Sequence, residues 1–258
     1  MKRHHPKIAD DRHLETLGNC DGYYECPKNS DGRRLGPLVG YTGTYKGLDG
    51  KPMQFVGDIY ANFAKAEPHS NVIRFFVRCL SDRLEVKVGF ERIGAFCGAP
   101  IGGYRLADTL GLVNNILTIK AEKNVTELKT ATSRERSELV FARHNVEKNA
   151  RYVIVEDVCN NFSTTEELIR LIVGHGGKVV AIVCFLNRSL RVDEEYPSLT
   201  RVGIMGRLLL PVVSLVRMPI HEWKQDDPAV ADDIARGNVV WKPKNEWGRL
   251  MQAMKVAG

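Results

Sequence analysis

The stretch from Tyr152 to Phe185 constrains the fold more than any other part of the chain. Tyr152 to Val155 is a short β-branched run that reads as a buried strand. It meets Glu156 and Asp157, passes through a polar turn, and enters an amphipathic segment over Glu166 to Val173. Gly174-His175-Gly176-Gly177 stops that helix, and Val179 to Phe185 is a second apolar run. Strand, helix, glycine stop and strand form a βαβ unit, which requires a parallel sheet with a right-handed crossover. The expected fold is α/β, with an open, mostly parallel central sheet flanked by helices.

The rest of the chain fits around that unit. Val72, Ile73, Phe76, Val77 and Leu80 recur at helical spacing, predicting an amphipathic helix over His69 to Arg83. Arg92 to Phe96 reads as a strand running into Gly98-Ala99-Pro100-Ile101-Gly102-Gly103, with a helix beginning near Tyr104. Leu112 to Ala121 and Leu208 to Val216 read as further strands, with another near Gln54 to Asp58. Glu122 to Glu138 is charged and rich in Ser and Thr, and reads as a mobile loop. The first part of the chain is irregular, with turn chemistry at Asn29 to Gly32 and Leu48-Asp49-Gly50. The expected organisation is an N-terminal extension over 1–60, a core over 61–220 and a C-terminal extension over 221–258.

Composition narrows the partners. Lys and Arg outnumber Asp and Glu by 37 to 31, an excess that suits nucleic acid or a polyanionic small substrate. Basic residues do not cluster or interleave with aromatics, so nucleic acid is the less favoured partner. No run approaches the ~18 apolar residues that span a bilayer, so no membrane partner is expected. The basic, polar start lacks the hydrophobic region of a secretory signal. The six cysteines are scattered without CxxC spacing, which points to free thiols in a reducing cytoplasm.

Ligands of an open parallel sheet bind at the carboxyl ends of its strands. Glu156 and Asp157 stand at such an end, where two acids can accept hydrogen bonds from vicinal ribose hydroxyls or hold a hydrated Mg²⁺. Asn160, Asn161, Phe162, Ser163 and Thr164 follow at a helix N-terminus, whose unpaired N–H groups and positive dipole suit a phosphate. The plainer alternative is an N-capped helix after a buried strand, with two solvated acids.

Val153 to Thr165 resembles the phosphoribosyl pyrophosphate signature of type I phosphoribosyltransferases, and its Glu-Asp-Val form is the one seen in the orotate-specific branch. The resemblance implies that Glu156 and Asp157 hold the ribose hydroxyls and that Asn160 to Thr164 form the 5′-phosphate loop. The usual Thr-Thr-Gly-Gly of that loop is here Asn-Asn-Phe-Ser, which reduces backbone freedom. Gly98, Ala99, Pro100, Ile101, Gly102 and Gly103 are similar to the family's pyrophosphate loop. Phe141 to Lys148 resembles a basic segment that reaches pyrophosphate, with Arg143 matching directly, His144 standing where a Lys is expected, and Lys148 as the second cation. Leu48 to Phe55 is similar to the N-terminal hood of the orotate branch, where Lys51 would meet the carboxylate of the base. The tail from Asp226 to Lys244 looks like that of some microbial relatives, without its cysteines.

The resemblance implies a glycosyltransferase that uses Mg²⁺, held through pyrophosphate and Asp157, with phosphoribosyl pyrophosphate and a nucleobase, orotate first, as substrates. It also implies a homodimer. Two alternatives stay open: transfer to a different base, or a phosphoribosyltransferase-like fold that binds its ligand as a sensor without turnover.

Overall fold

The computed structural model describes residues 11–48, 50–127, 136–201 and 206–256. Two compact units emerge, one from the described residues up to Pro68 together with those from Ile220 onward, the other from His69 to Pro219. The basic N-terminal stretch, Asp49 of the predicted turn and the middle of the 122–138 segment lie outside the described residues.

The first unit begins with α1 (Arg12–Asn19), capped by Asp11, whose carboxylate accepts the His13 N–H at 2.8 Å. Then come β1 (Tyr23–Glu25), β2 (Leu38–Lys46), β3 (Pro52–Gly57) and β4 (Ile59–Ala61).

In the second unit α2 (Ser70–Lys87) buries Ile73, Phe76, Val77 and Leu80 of the predicted stripe and Leu84 a turn further on, while Val72 is half-buried. It leads to β5 (Ala95–Gly98), α3 (Gly103–Asn114), β6 (Leu117–Lys120), β7 (Glu122–Glu127), β8 (Arg136–Val140) and β9 (Arg151–Cys159). α4 (Ser163–Gly174), β10 (Lys178–Asn187), β11 (Glu195–Arg201) and β12 (Arg207–Arg217) complete it. The chain then returns to the first unit as α5 (Ala231–Ala235), β13 (Val239–Val240) and α6 (Trp247–Val256).

The second unit holds a six-stranded sheet in the order β11-β12-β10-β9-β5-β6. Only β11 is antiparallel to its neighbour, so the sheet is mostly parallel, as the βαβ unit requires. Ile182 and Cys184 pack in one cluster with Leu168, Ile169 and Ile172 of α4. Phe185, one residue on, meets Phe76 of α2 at 4.7 Å between ring centroids. Successive side chains of β10 thus enter opposite faces, which is why its sequence is apolar throughout.

In the first unit β13 pairs in parallel with β2, which pairs antiparallel with β3. Leu38, Val56, Val230 and Val239 make a small core there, so the tail expected as an extension contributes a strand to the same sheet as β2 and β3.

Four local expectations change. The run Arg92 to Phe96 is a 3-10 turn at Phe90–Arg92 followed by β5, whose start is fixed by pairing of Ala95 with Tyr152. Leu112 and Val113 continue α3, with their side chains 84% and 44% exposed, until Asn115 turns left-handed at φ 53°; the strand begins only at Leu117. The 122–138 segment is not a loop throughout, since β7 and β8 pair antiparallel in register from Glu122 and Val140. β9 also runs on to Cys159, so Glu156 and Asp157 lie within its pairing with β10 rather than beyond it.

Candidate functional site

The parallel strands carry two turns at their carboxyl edge. Gly98 ends β5, and the chain turns through Ala99 to Gly102 into α3. The Ala99 N–H donates to the Val155 carbonyl at 2.9 Å, and the Gly103 N–H to the Ala99 carbonyl at 3.0 Å. This ties the turn to β9 beside the acidic pair. A methyl group on Gly102 would collide with the Asp157 carboxylate, and one on Gly103 with the Val155 carbonyl oxygen. Only glycine admits so close an approach of the two segments. Pro100–Ile101 is a cis peptide, and the Ile101 side chain is exposed.

The two acids have different surroundings. Glu156 is buried, and its Oε1 accepts the Asp157 N–H at 3.3 Å. Burial, then the neighbouring Asp157 charge, push its pKa well above the usual carboxylate range. Asp157 is half-buried, and its Oδ1 accepts the Val158 N–H at 2.8 Å. One edge therefore offers two adjacent carboxyl groups, one buried and one half-buried.

The turn into α4 departs from what its sequence suggests. Asn tolerates the left-handed backbone better than most residues, but here Phe162 adopts it, at φ 59° and ψ 20°. Its ring points inward, buried, and stacks on Tyr196 at 4.9 Å with a 13° interplanar angle. Asn161 Oδ1 accepts the Ser163 N–H at 3.0 Å. The first turn of α4 has N–H groups that no helix can satisfy internally, and Ser163 and Thr164 carry hydroxyls beside them.

The basic residues divide. Arg143 has a side chain 81% exposed and lies 3.5 Å from Glu122 Oε1, at the start of β7. It acts electrostatically on Tyr104 of α3, whose hydroxyl donates to the Ala121 carbonyl. Burial, then the Glu122 charge, raise the Tyr104 phenol above its usual value, and Arg143 opposes them. Arg143 thus stands near the helix that follows the glycine turn. His144 is half-buried, with its Nδ1 buried and without a hydrogen-bond partner among the described residues.

Lys148 does not join this group. Its methylenes lie over Gly176, before the start of β10, at the amino end of the sheet. Strand rise puts that end roughly 20 Å from Asp157 along β9. Within this chain β9 therefore separates Lys148 from the acids, which stand at the opposite edge. Lys51 lies in the first unit, in the turn between β2 and β3, where its carbonyl accepts the Gly47 N–H at 2.8 Å.

Sequence reading missed Lys120. It ends β6, paired with Gly98 of β5, and its Nζ is 2.7 Å from Asp108 Oδ2 and 5.5 Å from the Tyr104 ring centre. Its only signal was a lysine closing a short apolar run. A separate cleft of 580 Å³ lies between α2 and β12, where Lys87 and Arg217 are already paired with Glu194 and Asp193 at 2.7 Å. It contains none of the residues above.

No family model matches the chain. Among solved structures it is similar to the UMP synthase of Leishmania donovani, at 14% identity and a TM-score of 0.47, covering 96% of this chain and 43% of that one. The chain thus spans less than half the length of that protein. It is also similar to the orotate phosphoribosyltransferase of Aeropyrum pernix, at 13% identity and a TM-score of 0.46, covering 80% of this chain and 93% of that one. A third similarity is to the adenine phosphoribosyltransferase of Trypanosoma brucei in complex with AMP, pyrophosphate and ribose-5-phosphate, at 16% identity, a TM-score of 0.43 and 70% coverage of each chain.

Proposed function

We propose that the chain transfers a phosphoribosyl group from phosphoribosyl pyrophosphate to a nucleobase, with Mg²⁺, orotate being the base that sequence resemblance implies. The observation that carries this reading is the packing of Gly102 and Gly103 against Val155 and Asp157. It joins a glycine turn suited to an anion with an acidic pair suited to a diol, next to a helix N-terminus suited to a second phosphate.

The chemistry is a displacement at the anomeric carbon. A base nitrogen forms the new bond as the carbon–oxygen bond to pyrophosphate breaks, the oxygen keeps the electron pair, and the base loses its N–H proton to water. The cation-like sugar asks for positioning and charge compensation more than for covalent help. Glu156 and Asp157 hydrogen-bond the ribose hydroxyls, and the first turn of α4 receives the 5′-phosphate. The glycine turn admits the departing pyrophosphate, with Lys120 and Arg143 supplying positive charge.

Among the described residues no group of three or more His, Cys, Asp or Glu could hold a metal. Asp157, half-buried beside the glycine turn, and substrate oxygens would hold Mg²⁺, the usual arrangement for this hard cation at a phosphate ester. When bound, the ion neutralises charge on the leaving group. The same resemblance implies that the enzyme works as a homodimer.

A second reading, a ligand sensor without turnover, is favoured by two features. Phe162 stands where a mobile glycine would serve catalysis, and Arg143 is already paired with Glu122. Orotate consumption with phosphoribosyl pyrophosphate and Mg²⁺, followed by ultraviolet absorbance, separates the readings. Turnover that is lost in Asp157→Asn supports the transferase and the base. Pyrophosphate release with another base keeps the transferase and replaces orotate. Tight binding of phosphoribosyl pyrophosphate without release with any base favours the sensor.

A further inference from the structure

The start of α4 is held by a closed set of contacts that the reaction itself does not require. Phe162 is a non-glycine residue in the left-handed region, a conformation that costs free energy for any side chain with a β-carbon. Its ring lies on Tyr196. The Tyr196 hydroxyl donates to Glu166 Oε2 at 2.9 Å, and the Glu166 N–H donates back to the Phe162 carbonyl at 2.8 Å. Phe162, Tyr196 and Glu166 therefore form a ring of three contacts around the first turn of the helix.

Glu166 makes the ring firm. Its carboxylate also accepts from Ser198 Oγ at 3.0 Å, the Leu199 N–H at 3.0 Å and Thr200 Oγ1 at 2.8 Å. Every one of these donors is on β11, the antiparallel edge strand, so β11 is fastened along its length to one buried anion. An aromatic ring stacked on a rigid strand can keep a strained backbone in place, where glycine would leave it free.

We infer that Tyr196 is a positioning residue for the phosphate-binding turn, holding Phe162 left-handed so that the N–H groups of Thr164 and Thr165 point at one anion; this rests on the phosphoribosyl reading above. The turn in this chain is preorganised by side chains, where the family pattern relies on glycines.

The test measures binding of ribose 5-phosphate and, separately, of pyrophosphate to the full chain by calorimetry. Tyr196→Leu removes the stack and is expected to weaken ribose 5-phosphate by about tenfold or more, the scale of a misplaced anion site. Pyrophosphate, which belongs to the glycine turn, keeps its Kd and reports that the protein is folded. Adding Phe162→Gly to Tyr196→Leu lets the backbone turn left without support, and recovers affinity to within about threefold of wild type. Should Tyr196→Leu lose pyrophosphate as well, Tyr196→Met, which also removes the stack but leaves a longer side chain to fill the space, decides: weaker ribose 5-phosphate with pyrophosphate kept supports the role, and wild-type affinity overturns it. Wild-type affinity in Tyr196→Leu, or no recovery in the double variant, overturns it also. If the wild-type chain binds no ribose 5-phosphate, the phosphoribosyl reading itself falls.

Discussion

The carboxylate of Asp157 occupies the space that a β-carbon on residue 102 would need. The backbone of Gly102, at φ −62° and ψ −33°, suits any amino acid, so the need for glycine comes from this contact alone. Gly102→Ala should destabilise the chain by about 1–3 kcal/mol, the usual cost of overpacking. Asp157→Ala should relieve much of it, giving a coupling of about 1 kcal/mol or more in a double-mutant cycle read by urea unfolding. Additive effects would mean that the two segments do not touch in solution.

Glu156 makes a prediction about pH. Its folded pKa lies above the ordinary value because burial and the Asp157 charge oppose ionisation. Above about pH 4.3 the unfolded chain releases this proton while the folded chain keeps it, so stability falls as pH rises toward the folded pKa. Glu156→Gln removes the titration. The variant should match wild type in acid and exceed it by about 1 kcal/mol or more at neutral pH. Parallel stability curves from pH 4 to 8 would contradict a Glu156 pKa raised by burial.

Glu166 behaves in the opposite sense. Burial alone would raise its pKa, but donors from Thr200, the Leu199 N–H, Tyr196 and Ser198 together hold it below the usual range. A depressed acid contributes stability that is present above the unfolded pKa and is lost as pH falls through the folded one. Glu166→Gln leaves several buried donors poorly matched and should cost about 2–4 kcal/mol at neutral pH, with the gap closing in acid. Thermal unfolding across pH checks both the size and the direction.

Much of this architecture was readable in the chain. The β-branched runs of β9 and β10 and the glycine stop between them are local signals, and local signals fixed the parallel sheet. The acidic pair and the glycine turn were likewise visible, each as a motif. What no single motif carried was their contact, because it depends on pairing of β5 with β9 in three dimensions. The same reason hid Lys120, whose place beside the glycine turn depends on its register with Gly98. Leu112 and Val113 misled for a different reason: they are apolar but exposed on α3, so their hydrophobicity says nothing about a strand.

The two lysines give the sharpest functional comparison. Lys120 stands at the carboxyl edge with Asp108 and the Tyr104 ring, while Lys148 lies over Gly176 at the amino end. If pyrophosphate departs past the glycine turn, removing Lys120 takes a positive charge from its path. Lys120→Ala should then lower kcat/KM for phosphoribosyl pyrophosphate by about tenfold to a hundredfold, the loss of one charge-assisted contact in a preorganised site. Lys148→Ala should change it by less than about twofold, since its charge sits beyond a screening length at physiological salt. Raising the salt concentration should narrow the difference at Lys120 and leave Lys148→Ala where it was. The reverse order, with Lys148 the more damaging, would place the leaving group at the other end of the sheet and remove the glycine turn from the mechanism.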